Sequence, residues 1–198
     1  EVMEDLGPKF ERATGHQLAI TFATSGGVVK LVQGGETADV VIIPQPGIDR
    51  LVKDGKAAAG DVTFIAHSGI GVAVRKDAPK PDISSPEALK RTLLAARSIT
   101  YPNTASGGAS GIHFAKVLDR LGIASEMKSK TVFPKLPRLV GDSVAKGESQ
   151  IGVQQFQSLI SVAGIDIVGP LPGDLQDIIV YSAAIMAGAK DVEASKAF

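Results

Sequence analysis

Apolar positions along the chain fall into short strand-like runs separated by helix-like stretches. The strand-like runs cover 17–23, 40–43, 71–75, 98–101, 150–153, 165–168 and 178–186. They are rich in Val and Ile, and several are almost continuously apolar, as strands buried on both faces are. Helix-like stretches cover 2–14, 28–34, 48–54, 85–96, 110–121, 137–147, 156–162 and 191–198. The alternation predicts an α/β architecture with mostly parallel sheets.

Local chemistry marks several boundaries. Ser85, Pro86 and Glu87 start a helix with a serine cap and a proline at the first helical position. Gly122 and Gly147 sit where helices need a C-terminal cap. Pro79 and Pro81 stiffen the stretch 77–82, which reads as a surface crossing, and 170–174 reads as a second such loop. The chain carries no internal repeat and no low-complexity tract. It opens inside an amphipathic helix with no preceding strand and closes on the first turns of another. That pattern predicts residues beyond both ends, a leader among them.

Composition narrows the class. The chain has 198 residues, 44% of them hydrophobic and 21% charged, with zero net charge. This describes a globular protein with a sizeable core, in one domain or two small lobes. Disorder and nucleic-acid binding are disfavoured, because there is no basic patch interleaved with aromatics. Cysteine is absent, which excludes disulfides, thiolate metal sites and a cysteine nucleophile and suits an oxidising compartment. No apolar run is long enough to span a membrane. No His/Asp/Glu spacing suits a metal, and neither a Gly-x-Ser-x-Gly elbow nor a phosphate-loop lysine is present. No cofactor is expected.

Candidate chemistry concentrates in two small-residue turns. Thr24, Ser25, Gly26 and Gly27 follow the run at 20–22 and precede the stretch from Val28. Ser106, Gly107, Gly108, Ala109, Ser110 and Gly111 follow the run at 98–101 and precede the stretch from Ile112. A helix start offers unpaired N–H groups and partial positive charge. Glycine lets the backbone approach a ligand, and serine adds a hydroxyl donor. Two such turns suggest two walls of a cleft for a small anion. Each is also what any β-to-α turn can look like.

The order of motifs resembles a known family. Thr24 to Gly27, followed by Gly35, Glu36, Thr37, Ala38, Asp39 and Val40, is similar to the first-lobe pattern of extracytoplasmic solute-binding proteins. Ile99 to Pro102, then the second turn, then Phe114 to Gly122, resembles their second-lobe anion turn and helix. The stretches from Lys146 to Val153 and from Ala187 to Phe198 resemble later segments of the family. The resemblance covers nearly the whole chain and points to type II periplasmic binding proteins near the molybdate-binding branch. It implies a two-lobed α/β fold with a ligand cleft between lobes. Lobe one is then 1–82 with 158–198, and lobe two is 83–157. It also implies a first strand upstream of residue 1 with a ligand-binding serine. Without that strand the lobe-one sheet has an open edge, which invites pairing with another chain.

The resemblance distributes roles. Thr24, Ser25, Gly26, Ser68, Ser106, Gly107, Ser110 and one of Gln154 and Gln155 are the expected ligand contacts. Gln154 and Gln155 stand where the oxyanion binders carry a tyrosine. An amide both donates and accepts, which leaves room for an organic acid. Asp39 is expected to hydrogen-bond to backbone, Arg138 to lie at the surface and His16 to be exposed. The implied activity is periplasmic capture of a small anion for the membrane permease of an ABC-type importer, by hinge closure. The alternative is an isomerase of aconitate type on the same scaffold. That chemistry needs an acid or base near the substrate carbon. His67 and His113 are the catalytic candidates, with Glu148 behind them.

Overall fold

The computed structural model describes residues 2–134 and 139–198. Arg138, and positions 137 and 138 of the predicted helix 137–147, lie outside the described residues. In chain order the first elements are α1 (Val2–Thr14), α2 (Ser25–Gln33), β1 (Val40–Pro44), α3 (Gln45–Lys53) and β2 (Ala57–Ser68). Next come β3 (Ile70–Arg75), α4 (Pro86–Ala95), β4 (Ile99–Thr100), α5 (Ala109–Arg120) and α6 (Ala124–Lys128). The chain continues with α7 (Val140–Ala145), β5 (Ile151–Gln155), α8 (Phe156–Ile160), β6 (Ile165–Pro170), β7 (Ile179–Met186) and α9 (Val192–Ala197).

These elements form two compact units. Unit 1 is Glu1–Ala66 with Val180–Phe198, and unit 2 is His67–Ile179. The divisions fall elsewhere than the expected 82/83 and 157/158. The reason is β3, which carries the sheet of unit 2 and brings the residues on both its flanks with it. The proline-stiffened stretch 77–82 therefore lies within unit 2.

Unit 1 has a three-stranded sheet in the order β1-β7-β2. β1 runs antiparallel to β7, with Val40 opposite Ile185 and Pro44 opposite Tyr181. Val29 and Val32 of α2 and Ile48 and Leu51 of α3 pack with Val41, Ile43, Ala57, Ala184 and Met186 into its core. Asp39 acts as expected on backbone, its carboxylate accepting the N–H of Lys190.

Unit 2 has a four-stranded sheet in the order β4-β5-β3-β6. β3 is antiparallel to both neighbours, pairing Ile70 with Gln155 and Arg75 with Ile165. Among the ladders of this sheet only β4 with β5 is parallel. Ile70, Val72, Ala73 and Val74 are at most 4% exposed, so β3 is covered on both faces. Ala73, Val140 and Leu159 form a core cluster on one side, with Ile165 and Ile167 against it. Val140 and Val144 of α7 also press on Gly152. The large buried side chains Phe114, Leu89 and Leu93 belong to α5 and α4.

The expectation of mostly parallel sheets is corrected here. A continuous apolar run reports burial on two faces and says nothing of strand direction. A central antiparallel strand under helices on both sides needs the same residues. The run 17–23 also forms no strand. Leu18, Ile20 and Phe22 alternate, but Ile20 is 41% and Phe22 61% exposed, and no ladder pairs them among the described residues. β2, in contrast, gave no strand signal. Its Ala57, Ala58, Ala59 and Gly60 have weak β-propensity, and most of the strand is exposed.

The start of α5 is set by a close approach. A Cβ placed on Gly111 would stand 2.0 Å from the Pro102 carbonyl oxygen, well inside contact distance. Gly107, just before, adopts the left-handed conformation at φ 74°, where glycine is favoured. Gly111→Ala is therefore expected to destabilise the protein by about 3 kcal/mol, the upper end for overpacking. Urea denaturation measures it, and an unchanged midpoint would contradict this contact.

Candidate functional site

The two turns are built differently. In the first, Thr24 is the N-cap of α2, with φ −64° and ψ 155°. Its Oγ1 accepts the Gly27 N–H at 3.1 Å. The cap is thus the threonine, and Ser25 and Gly26 are the first helical residues. The helical ladder begins with Val28 N–H to Thr24 O at 2.9 Å. Ser25 and Gly26 are half-buried and stand at the positive end of the helix.

In the second turn, Thr104–Ser106 make a short 3-10 turn. Asn103 Oδ1 accepts the Ala105 N–H at 2.9 Å, and Ser106 Oγ donates to the Asn103 carbonyl at 2.7 Å. These bonds shape the loop. Gly108 is the N-cap of α5 and has no side chain to offer. Ser110, one residue into the helix, is 1% exposed. Its hydroxyl donates to Gln155 Oε1 at 3.0 Å.

The end of β5 gathers further polar groups. Gln155 is 7% exposed. Gln154 turns to the opposite face, as strand alternation requires. Its side-chain oxygen is buried with no partner among the described residues. Ser68, at the end of β2, donates its hydroxyl to Gln157 Oε1, with the Gly69 carbonyl oxygen 3.3 Å from the same Oγ. Phe156 N–H reaches the Gly69 carbonyl at 3.1 Å. Ser68, Ser110, Gln154 and Gln155 are thus placed around one end of the unit 2 sheet. Thr24, Ser25 and Gly26 stand in unit 1, in a capped turn of their own.

The histidines differ in engagement. His67 is exposed near the end of β2. His113 is half-buried, with Nε2 2.8 Å from the Leu175 carbonyl and Nδ1 3.6 Å from Asp177 Oδ2. Arg120, on the same helix, donates to the Asp174 carbonyl at 2.9 Å. Both ring nitrogens of His113 therefore face the segment after β6, which α5 holds in place. Glu148 is exposed in the turn after α7, and His16 is exposed as expected.

Tyr101, following β4, is buried against Phe114 and Phe133 in edge-to-face contacts. Burial pushes its phenol above the usual range, against the pull of a hydrogen bond with Thr131, so it stays neutral. Among the described residues no group of three or more His, Cys, Asp or Glu could hold a metal ion.

Two glutamines escaped the sequence reading. Gln157 holds Ser68, and Gln176 bridges both backbone groups of Ile70 at 2.9 Å each, accepting its N–H and donating to its carbonyl. These partners are far apart in sequence, and no periodic pattern marks them. The doublet Gln154-Gln155 drew notice, while the spacing Gln155-x-Gln157 was the remaining signal.

The profile of the bacterial extracellular solute-binding protein family matches residues 1–198. An aconitate isomerase from a Pseudomonas species is 37% identical over 202 residues, covering 98% of this chain and 75% of that protein. The molybdate-binding protein ModA of Azotobacter vinelandii is 29% identical over 203 residues, covering 98% and 77%. In structure, an Azotobacter vinelandii periplasmic molybdate-binding protein aligns with TM-score 0.74 at 22% identity, over 98% of this chain and 84% of that one. That likeness supports the shared fold, two α/β units of which the first is built from two separate segments of the chain. No helix among the described residues is long and apolar enough to cross a membrane. Matched over its whole length, this chain belongs to the bacterial extracellular solute-binding proteins, in the type II periplasmic class near the molybdate-binding branch.

Proposed function

We propose that this chain captures a small anion, an organic acid or an oxyanion, outside the cytoplasm and delivers it to an ABC-type importer. The observation that supports this most is the buried Ser110–Gln155 pair at the start of α5. Polar side chains are rarely buried without a reason, and this pair lies where a helix end favours negative charge. The turn at Ser25 and Gly26 repeats that electrostatic design in unit 1. In this reading each turn offers donors to an anion, and capture is by hinge closure. Binding then rests on hydroxyl, amide and backbone donors, with Lys and Arg secondary.

A second reading is favoured by one finding, the 37% identity to an aconitate isomerase. Isomerisation would withdraw a proton from one carbon of the unsaturated acid and return one to another, moving the double bond between them. Of the two candidates His67 is the exposed one, whereas the nitrogens of His113 face Leu175 and Asp177. The two readings separate in one tube. The protein is titrated calorimetrically with trans-aconitate, sulfate and molybdate, and the trans-aconitate sample is followed by NMR. Heat of binding with no cis isomer supports capture alone. Steady appearance of the cis isomer, lost in His67→Gln, supports the isomerase. No binding to any of the three anions would refute both.

Two substitutions test the assignments. Ser25→Ala removes one charge-assisted donor, worth roughly 1.5–3 kcal/mol, so affinity should fall about tenfold to a hundredfold. The melting temperature should hold, because Thr24 still caps α2. Unchanged affinity would mean that this turn is structural. His113→Leu leaves the Leu175 carbonyl without its partner and should lower stability by about 1–2 kcal/mol. If His113→Leu abolished turnover at full stability, His113 would be catalytic after all.

A further inference from the structure

Two helices of unit 2 leave a space between them. Ala115 and Asp119 stand four residues apart on α5, and Ala124 and Lys128 four apart on α6. Each alanine therefore lies one turn before a charged residue on the same helix face. The two alanines line a common cavity of about 180 Å3, which larger side chains would fill. Tyr101, Leu118 and Phe133 supply its apolar walls. An apolar cavity of about 150 Å3 takes benzene, so this one has room for a small organic molecule. The lining belongs wholly to unit 2. Asp119 is about 13 Å along the α5 axis from Ser110, so the cavity is separate from the turn that opens the helix.

Three polar groups meet this space. Tyr101 is 7% exposed, and its ring stands edge-to-face with Phe133 at 5.2 Å. Thr131 gives its one hydroxyl proton to the Met127 carbonyl at 2.8 Å. In the hydrogen bond between Tyr101 and Thr131 the phenol is therefore the donor, and its oxygen keeps a lone pair for an incoming N–H. Burial, and behind it the Asp119 carboxylate, push the phenol up, which places a negative charge near the Tyr101 hydroxyl. Asp119 and Lys128 are both exposed at the cavity mouth. Neither side chain makes an ion pair or a hydrogen bond among the described residues. Two opposite charges thus border one cavity without neutralising each other.

We propose that this cavity binds a small zwitterion with an apolar body, of the kind a free aliphatic amino acid provides. The ammonium lies against Asp119 and the Tyr101 oxygen, the carboxylate against Lys128, and the apolar chain against Leu118 and Phe133. An organic cation alone would meet Lys128, and an organic anion alone would meet Asp119. A ligand that carries both charges satisfies both, and its apolar part accounts for the aromatic and aliphatic walls. The proposal concerns a site other than the anion site and stands whether or not the protein binds trans-aconitate or molybdate.

The test titrates the full chain with L-leucine and follows 1H–15N spectra. Saturable shifts are expected at the backbone amides of Ala115, Asp119, Ala124 and Lys128. Asp119→Asn and Lys128→Gln should each weaken binding about tenfold or more, the scale of one charge-assisted bond. The analogues 4-methylpentanoate and 3-methylbutylammonium, which each lack one of the two charges, should lose about as much. Ala115→Leu fills the cavity and should abolish the leucine shifts. If that variant fails to fold, Asp119→Asn and Lys128→Gln carry the test, because both side chains are exposed. The proposal is overturned if leucine produces no saturable shift at these amides. It is equally overturned if either single-charge analogue binds as tightly as leucine, or if affinity is unchanged in Asp119→Asn, in Lys128→Gln or in a folded Ala115→Leu.

Discussion

β3 has no exposed face, and the rest of unit 2 is arranged around that fact. Ile70, Val72, Ala73 and Val74 are all buried, so the strand needs a neighbour on each edge and cover on each side. β5 and β6 supply the edges, both antiparallel. α7 and α8 supply one cover through Val140 and Leu159. The end of the strand where the chain enters is secured by side chains as well as by backbone bonds from Leu171 and Phe156. Gln176 takes both backbone groups of Ile70, and Gln157 takes the Ser68 hydroxyl. That end is also where Gln155 pairs with Ile70 and reaches Ser110. The polar groups of the candidate site are therefore held by the same requirement that buries the strand.

Burial decides what these polar groups can do. A hydroxyl or amide out of water must find a partner or cost about 1–3 kcal/mol. Ser110 and Gln155 meet that demand through each other, which fixes the direction of both. Gln154, one residue earlier, buries its amide oxygen with no partner among the described residues, as Thr100 and Ser149 bury their hydroxyls. The contrast between a satisfied pair and an orphaned neighbour gives this end of the sheet its chemical asymmetry. The Gly111–Pro102 approach then fixes where α5 begins, and so where Ser110 stands.

Much of this was legible in residue order. α1 spans Val2–Thr14, as its apolar pattern predicts, because an amphipathic helix writes its period into consecutive residues. Ser85 caps α4 through the Ala88 N–H, and Gly122 and Gly147 have positive φ, because caps are set by a few adjacent residues. The family was also readable from the spacing of small-residue turns. What could not be read depends on distant partners. Strand direction is one case, since β3 looks the same whether its neighbours run with it or against it. β2 is another, because Ala58, Ala59 and Gly60 carry little local preference for a strand. The partner of Ser110 is the third. Nothing local to a serine at a helix start points to the glutamine 45 positions away that accepts its hydrogen bond.

A crystal structure of the protein with trans-aconitate tests the central claim most directly, that this end of unit 2 receives an anion. The account predicts an anionic oxygen about 3 Å from a polar group at the start of α5 or the end of β5. An anion bound elsewhere, with the Ser110–Gln155 and Ser68–Gln157 pairs out of its reach, would contradict it.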